Sequence, residues 1–160
     1  MRLIIAVGIA LFSYVSYLMK SDVNEVTGEN QRVALTEQQE IALGLQALPA
    51  ILQQHQGEHP DQQAQAYVDR VGRRLLDSFN AALAKEGRHN PYRFNFHLLK
   101  DNQVVNAFAL PGGQIFITAA LYNQLETEGQ LAGVLGHEIG HVLSRHGAQQ
   151  MAKQELTQGL

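Results

Sequence analysis

The spacing of apolar residues changes several times along the chain, and each change marks an element. Leu3 to Met19 is an unbroken run without charge between Arg2 and Lys20. Residues 21–35 are polar, lack helical periodicity and read as a tether. Thr36 and Gln39 suit a capping box, and Ile41, Leu45, Leu48 and Leu52 follow at helical spacing, with Pro49 expected to kink that helix or end its first section. Gln53 to His59 reads as a loop, and Pro60 suits the first turn of a second helix. That helix carries the apolar stripe Ala64, Tyr67, Val68, Val71, Leu75, Leu76, Phe79 and Leu83, and it stops near Gly87. The period then shortens to two. Tyr92, Phe94, Phe96 and Leu98 alternate with Arg93, Asn95 and His97, which predicts a strand with one buried face. Val104 to Leu110 and Gln114 to Thr118 flank Pro111-Gly112-Gly113 and predict a hairpin. Thr127 and Gln130 form a second capping box, ahead of a helix on which Leu131, Val134, Leu135, Ile139 and Val142 share one side. The expected fold class is α+β, with helices packed on a small sheet.

Composition narrows the possible functions. With 45% hydrophobic and 17% charged residues the chain is globular rather than disordered. A net charge of -3 argues against a nucleic-acid partner, which calls for a basic face. The sequence has no cysteine, so disulfides, thiolate metal sites and a cysteine nucleophile are excluded, and any metal must be held by imidazole and carboxylate. A helix over Leu3 to Met19 would span ~26 Å, just short of a ~30 Å hydrocarbon core. Tyr14 and Tyr17 would sit at the membrane interface. No Ala-x-Ala-like site follows the run, so residues 1–20 read as a signal-anchor in preference to a cleaved signal peptide. Arg2 before the run, with Asp22 and Glu25 beyond Lys20, places the main body outside the cytoplasm.

The last helix carries His137-Glu138-Ile139-Gly140-His141. Residues four apart on a helix lie one above the other, ~5–6 Å between side-chain roots. His137 and His141 can therefore hold one ion at the ~2.0–2.1 Å typical of zinc and imidazole nitrogen. Glu138 lies beside them and can act as general base on a water at that ion, then pass the proton to a leaving amine. Gly136 and Gly140 are costly within a helix and predict close packing or close substrate approach. His146 falls half a turn out of phase with His137 on a straight helix, so it is assigned a structural hydrogen bond, and Arg145 an ion pair. His97 is assigned to the polar face of its strand, and His55, His59 and His89 to solvent. Glu37 and Glu40 suit the positive end of their helix.

Four ordered words extend this picture: Thr36 to Gly44, Tyr67 to Gly72, Asn106 to Gly113, and Leu131 to His146. In them the chain resembles the zinc metallopeptidase family that includes the CAAX prenyl endopeptidase, the heat-shock membrane protease and the bacterial β-barrel-assembly-enhancing protease. It is most similar to the periplasmic branch with a single N-terminal hydrophobic segment. The resemblance implies a zincin-like fold and one zinc ion per chain, with His137 and His141 as metal ligands and Glu138 as base. It implies polypeptide substrates, with Asn106, Ala107, Phe108 and Ala109 as a substrate-binding strand; from the residues alone, a hairpin that merely packs the sheet explains those four equally. The family's third ligand is a Glu on a later helix. Only Glu155 follows the motif here, and on a continuous helix it would lie ~21 Å beyond His141, too far to share an ion. Residues 36–160 are thus expected to form an N-terminal part of the catalytic domain. The expected function is a zinc-dependent endopeptidase of envelope proteins, anchored in the inner membrane through residues 3–19 and facing the periplasm, or released there if the segment is cleaved. The alternatives are a non-catalytic polypeptide-binding module and an inactive fragment lacking the third zinc ligand.

Overall fold

The computed structural model describes residues 21–23, 30–32, 35–147, 149 and 152–153. The apolar run 3–19 and Glu155 lie outside the described residues. No described helix is long and apolar enough to cross a membrane. Within the segment read as a tether, β1 (Ser21–Val23) pairs antiparallel with β2 (Asn30–Arg32).

Local signals set the helix starts. Before α1 (Glu37–Gln54), Thr36 Oγ1 accepts the Gln39 amide at 3.2 Å and Gln39 Oε1 accepts the Thr36 amide at 2.9 Å, so two amides that the helix leaves unpaired are satisfied. Pro49 does not end α1, which runs on to Gln54. In α2 (Gln62–Lys85) the cap is Asp61, whose Oδ1 accepts the Gln63 and Ala64 amides. Pro60 therefore precedes the cap instead of occupying the first turn, because a carboxylate one residue later serves those amides. The helix ends before Gly87, as expected.

The sheet has the order β3-β5-β4, from β3 (Asn95–Leu99), β4 (Ala107–Ala109) and β5 (Gln114–Thr118). The hairpin of β4 and β5 forms, and β3 joins it in parallel to β5, a pairing the sequence pattern did not predict. Strand β5 spans the expected residues, while β3 and β4 are shorter than their apolar patterns. Tyr92 and Phe94 are buried but lie ahead of the ladder, which begins at Asn95. Val104 to Asn106 stay outside it because Asp101 Oδ1 accepts the Gln103 and Val104 amides and turns the chain there. Then follow α3 (Ala119–Tyr122) and α4 (Glu128–Leu143), the latter opened by the predicted Thr127–Gln130 capping box.

One face of the sheet carries Phe96, Leu98, Ile115 and Ile117, against which α2 sets Val68, Val71 and Leu76 and α4 sets Leu131, Leu135 and Ile139. A Cβ at Gly72 would strike the Phe96 ring, so glycine there lets α2 lie close on β3. On the opposite face a row of rings crosses the strands in register. Phe108 stacks on Phe116 at 4.9 Å and Phe116 on His97 at 5.0 Å. Gly112, at φ 93, turns the hairpin against the backbone of Glu40 and Ile41 in α1.

A buried ion network joins the ends of this arrangement. Arg145 is 1% exposed; its Nε lies 3.1 Å from Glu40 Oε2, its Nη1 lies 3.4 Å from Glu37 Oε1, and Nη2 donates to the Leu35 carbonyl. Tyr92 donates its hydroxyl to Glu40 Oε2 at 2.8 Å. Burial pushes the Glu40 carboxyl up, against the pull of Tyr92 and Arg145, and burial likewise raises the Tyr92 hydroxyl and keeps it a donor. The ion pair expected of Arg145 is present. Glu40 is more than a helix-end charge: its carboxylate is the centre of the network. Replacing Arg145 with alanine is expected to cost about 3–5 kcal/mol, since it leaves a buried carboxylate without its cation. Urea unfolding checks this, and a loss below about 1 kcal/mol would put the pair in the class of surface ion pairs instead.

Candidate metal and peptide site

Helix α4 brings His137 and His141 together as their spacing requires. Their Nε2 atoms lie 2.9 Å apart, with ring centroids at 4.5 Å and ring planes at 87°. A tetrahedral ion with ~2.0–2.1 Å bonds needs its two nitrogens about 3.3 Å apart, so a small opening of the rings admits zinc between them. The donor types fit as well: two exposed or half-exposed imidazoles, with no competing thiolate in the chain. Among the described residues no third His, Cys, Asp or Glu stands where it could share an ion with them. Glu138 is 8% exposed, and burial pushes its carboxyl up while His141 and His137 pull it down.

Glu138 and His137 line a cleft of about 680 Å³ whose other walls include Ala107, Leu121, Leu125 and Val134. The cleft adjoins the hairpin through Val105, Asn106 and Ala107. Strand β4 is one edge of the sheet among the described residues, β3 being the other. Its hydrogen bonds to β5 alternate: Asn106 O accepts the Thr118 amide and the Leu110 amide donates to Gln114 O. In an antiparallel ladder this leaves the N–H and C=O of Ala107 and Ala109 pointing away from β5. Asn106 to Ala109 thus sit beside the histidine pair, with outward backbone groups that no described residue bonds.

Two sequence expectations need correction, and a third loses one of its alternatives. A Cβ at Gly136 or Gly140 would meet no atom within 4 Å, so close packing does not explain these glycines among the described residues. His146 is not turned away from His141. The helix stops at Leu143, Ser144 caps it and Arg145 takes φ 55, so the straight-helix phase no longer applies, and His146 Nδ1 comes to 2.7 Å from His141 Nδ1. His55 is buried, not solvated: its Nδ1 pairs with Asp101 Oδ2 at 2.8 Å and its ring lies 5.5 Å from Phe108.

The sequence profile of the family described as Peptidase family M48 matches residues 62–160, which include all of α4 and the hairpin. The chain belongs to peptidase family M48. It is 32% identical over 133 residues to a putative beta-barrel assembly-enhancing protease of Vibrio cholerae, an alignment covering 83% of this chain and 25% of that protein. It is 36% identical over 89 residues to the beta-barrel assembly-enhancing protease of Yersinia pestis, covering 56% and 16% respectively. To the mitochondrial metalloendopeptidase OMA1 of Arabidopsis thaliana it is 39% identical over 56 residues, 35% of this chain and 12% of that one. The chain therefore spans a quarter or less of the length of these relatives. By family it is a metalloendopeptidase with an α+β fold, and zinc dependence is general among M48 peptidases.

Within this M48 domain the His55–Asp101 pair lies behind the edge strand, and no local signal in the sequence marks it. Asp101 accepts the Gln103 and Val104 amides through Oδ1 and His55 through Oδ2, and thereby anchors the turn that leads into β4. Those bonds, the backbone amides foremost, hold its carboxyl below the usual value of 3.8. A lowered folded pKa stabilises the protein above the unfolded value and loses that contribution as pH falls through the folded one. Asp101→Asn keeps an acceptor for the turn but cannot titrate. Thermal melts between about pH 5 and pH 2 should therefore fall less steeply for this variant than for the parent. Parallel curves would show that the ionised carboxylate adds nothing.

Proposed function

We propose that this chain contributes the base and two of the metal ligands of a zinc endopeptidase that cleaves extended polypeptides. The observation that carries the reading is the pair of Nε2 atoms 2.9 Å apart, beside a cleft shared by Glu138 and the edge strand. His137 and His141 hold the ion through Nε2. Zinc, when bound, polarises the scissile carbonyl and makes a water more acidic. Glu138 takes the proton of the attacking water on its carboxylate and returns it to the leaving amine, while the apolar walls around it exclude bulk solvent. The substrate backbone lies along Asn106 to Ala109 as an added strand, bonded to the outward groups of Ala107 and Ala109. An apolar substrate side chain enters the cleft between Leu121, Leu125 and Val134.

Bacterial relatives are named for enhancing β-barrel assembly. On that basis we assign the substrates to envelope proteins outside the cytoplasm, with residues 3–19 as the membrane anchor and residues 36–160 as the catalytic part. The open edge and apolar cleft would serve equally well in a polypeptide-binding module without hydrolysis, which is the second reading, because strand addition needs no metal.

Glu138→Gln should lower cleavage of an unfolded polypeptide by at least about 100-fold while zinc stoichiometry stays unchanged. His137→Ala should lose both. Cleavage that survives Glu138→Gln removes the assigned base, and peptide binding without cleavage in the parent favours the second reading. A proline at Ala109 removes an outward N–H without touching the bonds to β5. It should weaken peptide binding by about 1 kcal/mol per lost bond, with the fold intact by circular dichroism. Unaltered binding by this variant would move the substrate off β4.

A further inference from the structure

Three imidazoles form a chain at the end of α4. His137 Nε2 lies 2.9 Å from His141 Nε2, and His141 Nδ1 lies 2.7 Å from His146 Nδ1. A neutral imidazole has one N–H and one lone pair. A neutral His141 donates through one nitrogen and accepts through the other, and for that form only two proton orders satisfy both contacts. In the first, His137 donates to His141 Nε2, and His141 donates through Nδ1 to His146. In the second, every donation is reversed and His141 carries its hydrogen on Nε2. Either order leaves a hydrogen on one of the two Nε2 atoms a metal needs free, on His137 in the first and on His141 in the second, and only the first has His141 donating to His146.

We infer that His146 is a positioning residue whose Nδ1 accepts the Nδ1–H of His141 and so keeps the His141 Nε2 lone pair turned toward His137 and the ion. The inference rests on the zinc-site reading above. A ligand histidine commonly donates its second ring N–H to such a partner, which fixes both tautomer and ring orientation. What places His146 here is the break in the helix. Ser144 is the cap, Arg145 adopts φ 55 with its guanidinium buried against Glu40 and Glu37, and His146 follows on the side of His141. Its ring meets that of His141 at 5.0 Å between centroids and 64° between planes. Being exposed, His146 can be replaced without opening a cavity in the core.

The test compares the parent with His146→Leu and His146→Asn. In metal-free protein, nitrogen–proton correlation spectra of the imidazoles read the tautomer of His141. The parent is expected to show Nδ1–H. His146→Asn, whose side-chain oxygen can accept the same bond, keeps it, and His146→Leu shifts the population toward Nε2–H. Zinc affinity, read by chelator competition, should fall roughly 10–100-fold in His146→Leu and recover in His146→Asn, with the melting temperature unchanged in both. Nε2–H in the metal-free parent overturns the inference, as does an unchanged tautomer and zinc affinity in His146→Leu. A parent that shows Nδ1–H and the expected response in His146→Leu but takes up no zinc supports the His146 assignment and refutes the zinc-site reading instead.

Discussion

The guanidinium of Arg145 is the joint on which the described structure closes. It reaches 105 residues back along the chain to Glu40, and a cation buried to this degree is tolerable only where carboxylates and a carbonyl face it. To reach them, the backbone adopts φ 55 and leaves the helix shortly after His141. The same geometry that satisfies the charge decides where the chain goes next and which ring lies against the second histidine. The first helix, the Tyr92 segment and the end of the motif helix are tied at one point, and the hairpin turn at Gly112 packs beside it.

Around that joint the site is assembled from parts of different kinds. The histidine pair needs only a helix, since their separation is set by its pitch. The edge strand needs the sheet, and the sheet needs the ring row of Phe108, Phe116 and His97 on one face and the apolar core on the other. His55 and Asp101 add a fixed turn before β4, so the strand enters the cleft at a set height beside Glu138. A peptide held there would be positioned by elements from both halves of the domain.

Much of this was legible in the sequence, for identifiable reasons. Capping boxes at Thr36 and Thr127 depend on residues three apart, and the Pro111-Gly112-Gly113 turn depends on backbone preferences of those residues alone, so both could be read locally. The motif histidines were legible because chemistry and helical pitch coincide in a few positions. The parallel pairing of β3 with β5 was not, since no short-range pattern encodes it. His55 looks like any loop histidine until Asp101 is brought to it from 46 residues away. His146 was misplaced because a straight helix was assumed through Arg145, and arginine gives no sign of a left-handed backbone. Glu40 likewise suited a helix end, and only the tertiary fold reveals that it is buried.

The three-residue length of β4 has a consequence for solubility. Unpaired N–H and C=O groups along a sheet edge invite any extended segment, including the same strand of another molecule, to add on and propagate. Within β4, among the described residues, only Ala107 and Ala109 face outward, and Pro111, which has no N–H to give, stands just beyond them. Under the proposed function two outward residues would grip a peptide whose side chain is also held by the cleft, yet they offer too short a template for runaway strand stacking. The edge can thus stay open to a guest while remaining a poor seed for aggregation.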